Sequence, residues 1–228
     1  MIIRVADLNV SIPEAGGMAL RCQEYLTDPN SKLDIVVPEE AYKTENWPEL
    51  SYEMACYMES GYHFYARMLP YDGLQLHASA LAYEGKAYLF SGPCTVGKST
   101  HTRQWQKTFG EAVQVFNDDK PALRCIDGCW YAYGTPWCGK DGININIKVP
   151  LGGICFLKQA QENKIRRLSV TEAFAMCMGQ LQRFSKPENV EKQLQLVDRL
   201  VRSIPVWELE NYPGPEAAHM SCSTMHNP

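Results

Sequence analysis

The sequence predicts an α/β fold, a sheet flanked by helices, and three adjoining segments carry that prediction. Lys86, Ala87, Tyr88, Leu89 and Phe90 form a short apolar, aromatic-rich run entered from the turn at Glu84 and Gly85, as expected of a buried strand. Gly92 to Thr100 (GPCTVGKST) follows as a glycine-punctuated loop. Ser99 to Phe109 then runs without Gly or Pro until Gly110 terminates it as a helix. Strand, loop and helix in that order form the repeating unit of an α/β layer.

The remaining elements follow in chain order. Residues 1–72 read as an N-terminal α/β segment packed on a core formed by residues 73–228. That segment opens with a strand-like run, MIIRVADLNVSI, then a short helix near Met18 to Leu26 and a strand at Leu33 to Val37. Its longest helix spans Glu49 to Leu69, where Leu50, Met54, Met58, Tyr62, Tyr65 and Leu69 recur at threes and fours and are expected to face the core. Past Gly110, Val113 to Pro121 (VQVFNDDKP) alternates as a strand and ends on two carboxylates. Cys125 and Cys129 bracket a hairpin turn at Asp127 and Gly128. ININIKV and GGICFLK read as two β runs split at Pro150 and Leu151. After a turn at Gln161 to Lys164, Ser169 or Thr171 with Glu172 starts a helix that continues through Ala173 to Phe184. A second helix runs from Pro187 to about Ser203 through Val190, Leu194, Val197, Leu200 and Val201. Pro205 to Asn211 is a last strand, PEAAHM a helical turn, and the polar tail SCSTMHNP is expected to fray.

Composition narrows the class. Hydrophobic residues make up 45% and the formal net charge is -4, so there is neither a basic field for nucleic acid nor an acidic tail. No apolar run approaches membrane-spanning length, and the N-terminus lacks the basic start and long apolar stretch of a signal peptide, so a cytoplasmic enzyme without nucleic-acid or membrane partners is expected. A homo-oligomer stays open. The nine cysteines are spread evenly and odd in number, which argues for reduced thiols rather than a disulfide framework.

Chemistry concentrates in the loop. Gly92, four residues, Gly97, Lys98 and Ser99 satisfy the phosphate-loop pattern, in which backbone N–H groups form an anion nest and the following helix points its positive end at the same anion. Gly92, Pro93, Cys94, Thr95, Val96, Gly97, Lys98, Ser99 and Thr100 are thus candidate nucleotide-binding residues, with Lys98 on the outer phosphates and the Ser99 hydroxyl on magnesium. Asp118 and Asp119 can divide metal binding and proton removal between them, or can form a surface turn with Asn117 and Pro121. His77 is either a structural residue or a polar group beside the site.

In their order, these residues resemble the HPr kinase/phosphorylase family and, more distantly, the nucleotide domain of ATP-dependent phosphoenolpyruvate carboxykinases. The kinase family has a His before a strand, a loop of the form GxxGxGKS and a paired Asp some two dozen residues later; here these are His77 with Ala78, Gly92 to Ser99, and Asp118 with Asp119. The resemblance is firm over about Leu74 to Ala122. It implies a mixed sheet with flanking helices, ATP or another nucleoside triphosphate with magnesium, Lys98 on phosphate, Ser99 and Asp119 on metal, Asp118 as general base, and His77 near the transferred phosphate. Two departures stand out. The middle glycine is Thr95, which tolerates a positive φ less well. The family's Arg- and Gly-rich segment is replaced by YGTPWCGKDG, Tyr133 to Gly142, which resembles small HPr kinase-related proteins of anaerobic Gram-positive bacteria. There Lys140 is a candidate catalytic cation, and Trp137 either packs under the loop or offers its face to a ligand.

The function this implies is a kinase moving a γ-phosphate to a hydroxyl of a small molecule or a protein serine. An ATP-binding regulator without an acceptor, or a relative that has lost nucleotide binding, are the rival readings. The chain is short for the substrate domain of a carboxykinase.

Overall fold

The computed structural model describes residues 1–39 and 47–226. Strands β1 (Ile2–Val5) and β2 (Leu8–Ser11) pair antiparallel, and β3 (Ile35–Val36) adds parallel to β2, giving a small three-stranded sheet. The opening run is therefore a hairpin rather than one strand. Its turn residues Ala6 and Asp7 both take positive φ, 52° and 59°, the primed-turn geometry that matches strand twist but normally calls for Asn or Gly. Between β2 and β3 lies α1 (Gly16–Arg21).

Helix α2 (Tyr52–Met68) starts on Ser51, whose side chain accepts from the Met54 N–H. The stripe expected to be core is only half correct: Tyr65 and Leu69 are buried, but Leu50 and Met54 are exposed, at 37% and 47%. The buried face is instead Ala55, Cys56, Tyr57, Ser60, Gly61, Phe64, Tyr65 and Met68. It packs against the small sheet and against Trp137.

A nine-stranded mixed sheet forms the rest of the framework. It contains β4 (Gly73–Gln75), β5 (Ala78–Tyr83), β6 (Lys86–Ser91), β7 (Val113–Asn117), β8 (Ala122–Ile126), β9 (Cys129–Tyr133), β10 (Lys148–Gln159), β11 (Lys164–Arg167) and β12 (Val206–Asn211). The central path runs β4-β8-β9-β10-β6-β5-β7, with β12 also on β10 and β11 on β12. The β8–β9 hairpin turns at Asp127 and Gly128, as the sequence indicates. Pro150 does not split two strands; it lies within β10. It is the last residue paired to β9, and from Leu151 onward β10 takes β6 as neighbour, so the missing N–H falls where the strand changes partner. Of residues 143–147, only Asn144 bridges Asn117.

Along β6 the faces alternate with the strand period of two. Ala87 and Leu89 point to the layer of α4 (Val170–Met178) and α5 (Pro187–Ser203), where Leu196, Val197 and Leu200 are buried. Tyr88 and Phe90 point to the layer of α3 (Lys98–Phe109) and α6 (Pro215–His226), against Trp105, Ala218 and Met225. The mixed sheet with helices on both faces is thus the predicted fold class.

Three local expectations are corrected. Helix α4 starts at a complete capping box of Ser169 and Glu172 but ends at Met178 with Gly179 as its C-cap, short of Phe184. Lys164–Arg167 is an edge strand, its charges facing solvent as edge strands tend to have. The C-terminal stretch through His226 is helix rather than frayed tail, because Ser221, Cys222 and Met225 are buried against the sheet.

Candidate functional site

The sheet order brings three chain segments to one edge. Strand β5 is antiparallel to both β6 and β7, so the ends of β6 and β7 and the start of β5 share a side. Ser91 at the end of β6 lies opposite Ala78, and its hydroxyl donates to the His77 carbonyl at 2.8 Å. His77, the loop after Ser91 and the pair after Asn117 are thereby neighbours.

The loop turns through Gly92 (φ 139°), Thr95 (φ 66°) and Gly97 (φ 106°), the last being the N-cap of α3. Thr95 therefore adopts the left-handed conformation despite its Cβ, at a cost of about 1 kcal/mol. The Gln159 side chain donates to its carbonyl at 3.2 Å. Lys98 folds back, its ammonium donating to the carbonyls of Gly92 and Pro93, each at 3.0 Å. Burial lowers its pKa, opposed by Cys94 and Asp119.

The carboxylate pair sits on a rigid turn. Buried Asn117 accepts the N–H groups of Asp119 (3.1 Å) and Lys120 (2.9 Å) and donates to the Thr135 carbonyl at 3.0 Å. The Lys120 carbonyl in turn accepts from Tyr65 and Thr135 hydroxyls. Asp118 Oδ1 accepts the Gly139 N–H at 2.6 Å, and a Cβ on Gly139 would stand 2.9 Å from Asp118 Oδ2, so only glycine permits this approach. Burial pushes the Asp118 carboxyl above the usual range, with the Gly139 amide opposing.

Asp119 has the opposite balance. Burial pushes its pKa upward, but Lys120, the Tyr57 hydroxyl and His77 outweigh that and hold it below the ordinary carboxylate value. Lys120 Nζ is 2.9 Å from Asp119 Oδ2 and 4.1 Å from the centre of the Tyr57 ring. His77 Nε2 lies 3.4 Å from Asp119 Oδ1, while its Nδ1 meets Gln180 Oε1 at 3.2 Å. Burial first and Lys98 second lower the His77 pKa, with Asp119 and Gln180 opposing, so the balance favours the neutral ring.

One cavity of about 410 Å³ collects these groups, with His77, Lys98, Ser99, Asp118, Asp119 and Lys140 among its lining. Cys94, Thr95, Gly97 and Thr100 also line it; Gly92, Pro93 and Val96 do not. Arg103, one helical turn after Ser99, is ion-paired to Asp141 at 2.6 Å on its rim. The other expected residues converge there, whereas Trp137 lies fully buried, stacked on Phe64 at 4.5 Å and donating to Ser60. It packs under the loop and offers no face to a ligand.

Sequence reasoning missed Asn117, Tyr57, Lys120, Arg103 and Arg21. Only Asn117 carried a local signal, since Asn before two further polar residues is an Asx-turn former. Lys120, next to Asp119, and Arg103, one turn beyond Ser99 on α3, lie beside expected residues without a motif of their own, and Tyr57 and Arg21 come to the neighbourhood of Asp119 through tertiary folding.

Among the described residues no helix is long and apolar enough to cross a membrane. No curated protein matches the sequence. Among solved structures, the Hpr(Ser) kinase/phosphatase from Coxiella burnetii aligns with 67% of this chain and 94% of its own, at 12% identity and a TM-score of 0.38. Residues 42–211, well over half of the chain, match the family described as SynChlorMet cassette protein ScmC, and the chain belongs to that family.

Proposed function

We propose that the chain is a nucleotide-dependent phosphotransferase, binding the phosphates of ATP at the Gly92–Gly97 loop and passing the γ-phosphoryl group to a hydroxyl. The observation that supports it is the convergence of Lys98, Ser99, His77 and both carboxylates on one cavity at the N-terminus of α3. Lys98 would exchange its two loop carbonyls for phosphate oxygens. Ser99 and Asp118 present the oxygen donors that magnesium prefers, and the ion would supply neutralisation of phosphate charge.

The resemblance to HPr kinases gives Asp118 the base and Asp119 the metal. The cavities favour the reverse. Asp118 lines the loop cavity only, whereas Asp119 also lines a second cavity beyond it, the side from which a hydroxyl can approach. Asp119, the carboxylate that both cavities share, would take the hydroxyl proton. His77 would flank the transferred group, and Lys140 would stand where the two cavities meet.

Calorimetry with magnesium ATP tests the reading. Lys98→Ala should weaken binding at least tenfold, the effect of losing more than about 1.4 kcal/mol of charge-assisted bonding; unchanged affinity in a folded variant removes the proposal. Asp118→Asn should lose the magnesium dependence of binding, and Asp119→Asn should bind normally but lose turnover. The opposite pattern restores the order given by the resemblance. Incubation with labelled ATP and a cell extract split into protein and small-molecule fractions then shows where phosphate goes; label in neither fraction, with binding intact, identifies a regulator.

A further inference from the structure

The second cavity, about 620 Å³, lies against the loop cavity and shares Asp119, Gly139 and Lys140 with it. Its wall is supplied by the N-terminal segment. Met18 of α1 and Met54, Tyr57 and Met58 of α2 form an apolar side, and Met54 stays 47% exposed although the sequence pattern places it in a core stripe. Methionines give such a wall an adaptable apolar surface. The same lining carries Arg21, Lys120 and Lys140, with the Arg21 and Lys120 cations over the Tyr57 ring at 5.1 and 4.1 Å.

These cations are not equivalent. Lys120 is paired with Asp119. Arg21 bonds the carbonyl (2.6 Å) and the sulfur (2.9 Å) of Cys138, and among the described residues neither Arg21 nor Lys140 has a carboxylate partner. Glu53 is the other acid on the lining besides Asp119. A pocket of this volume takes a small molecule, its apolar lining supplying affinity and a few polar groups setting orientation.

Resting on the phosphotransferase reading, we propose that this cavity is the acceptor site, and that the acceptor is a small hydroxyl-bearing carboxylate with an apolar body. The body lies on the methionine wall, the carboxylate meets Lys140 and Arg21, and the hydroxyl reaches Asp119 at the junction. There the acceptor oxygen bonds to the γ-phosphorus, the bond from that phosphorus to the β–γ bridging oxygen breaks, ADP departs with the electron pair, and the hydroxyl proton passes to Asp119.

The probe is 3-hydroxyoctanoate, compared with 1,3-octanediol, which lacks the carboxylate, and octanoate, which lacks the hydroxyl. Protein carrying carbon-13 methionine methyl groups is titrated with each in the presence of magnesium ATP, and phosphorylated product is read by mass spectrometry. Expected are shifts of the Met18, Met54 and Met58 methyl signals with 3-hydroxyoctanoate and with octanoate, transfer to the former alone, and binding of the diol at least tenfold weaker. Met54→Glu, at an exposed position, should bind magnesium ATP as the native chain does yet lose at least tenfold in affinity for 3-hydroxyoctanoate. Methyl signals that 3-hydroxyoctanoate leaves unmoved while magnesium ATP binds, or transfer by Met54→Glu at the native rate, overturn the acceptor site alone. Equal binding of diol and acid overturns the carboxylate half of the class. Absent binding of magnesium ATP to the native chain instead overturns the phosphotransferase reading, and the acceptor site with it.

Discussion

The Tyr57 hydroxyl donates to Asp119 Oδ2 at 2.5 Å, joining helix α2 of the N-terminal segment to the turn after β7. The bond helps hold Asp119 ionised and fixes one oxygen, leaving the other toward His77. It ties the segment that walls one cavity to the carboxylate that lies between both.

Tyr57→Phe removes that bond together with the one Lys120 Nζ donates to the same hydroxyl at 2.8 Å, while the ring keeps its place beside Lys120. The bond fixes the direction of the carboxylate, so its loss should misplace the base and lower turnover about tenfold with nucleotide affinity unchanged. Loss of a group that lowers the Asp119 pKa should also move the acid limb of the pH–rate profile upward, because the base must be ionised to act. A profile that stays in place would show that Asp119 is not the base.

Thr95→Gly should stabilise the fold. Relief of the left-handed strain, less the added freedom of glycine in the unfolded chain, leaves a gain of up to about 0.5 kcal/mol. Thr95 is exposed and its carbonyl bond to Gln159 survives the change. Urea unfolding reads the result, and a lower midpoint at equal slope contradicts the strain.

Cys94 and Cys129 are the exposed thiols; the other seven cysteines are buried. Both should be alkylated by iodoacetamide ahead of the rest, and magnesium ATP should slow Cys94 while leaving Cys129 as the internal reference. Equal rates at Cys94 with and without nucleotide would place its thiol outside the anion site.

Acid should weaken the fold through His101, which burial pushes down to about 4 although its contact with Asn211 opposes the shift. The ring is held between Asn211 (3.2 Å) and Ser221 (3.0 Å) and joins α3 to β12 and α6. With an unfolded pKa near 6.5, the unfolded chain binds more protons between the two values, so stability is full above about pH 6.5 and is lost as pH falls toward 4. The loss is on the order of 3 kcal/mol. His101→Gln should flatten the fall in urea midpoint across that window. If its slope matches that of the native chain, the acid sensitivity lies elsewhere.

The loop, the helix after it, the carboxylate pair and the β8–β9 hairpin were all legible because each is encoded within a few consecutive residues. Helix α2 was legible in extent but not in facing. Its buried side uses Ala55, Ser60 and Gly61, whose small size admits Trp137, with a Cβ on Gly61 standing only 3.0 Å from that ring. A reading by hydrophobicity ranks Met54 and Leu50 above them and rotates the helix. The C-terminal helix was obscured for a similar reason: Ser221 is polar in sequence but buried, with its hydroxyl bonded to Trp105 at 2.9 Å and to its own helix. Tyr57 and Arg21 gain their meaning only from contacts across the chain.

Strand β10 has a bearing on how the protein is made. Leu151 pairs with Ala87 and Ile154 with Val206, so β6 leaves the ribosome with β5 as a local partner but without its other neighbour. At about 5–20 residues per second, that side of β6 waits several seconds for β10, and β10 waits again for β12. Until then an apolar strand immediately before the glycine loop has an open edge, which a chaperone or a second nascent chain can pair with as readily as the native partner. Yield in a cell will therefore depend on translation speed and on holdase capacity as well as on the stability of the finished fold.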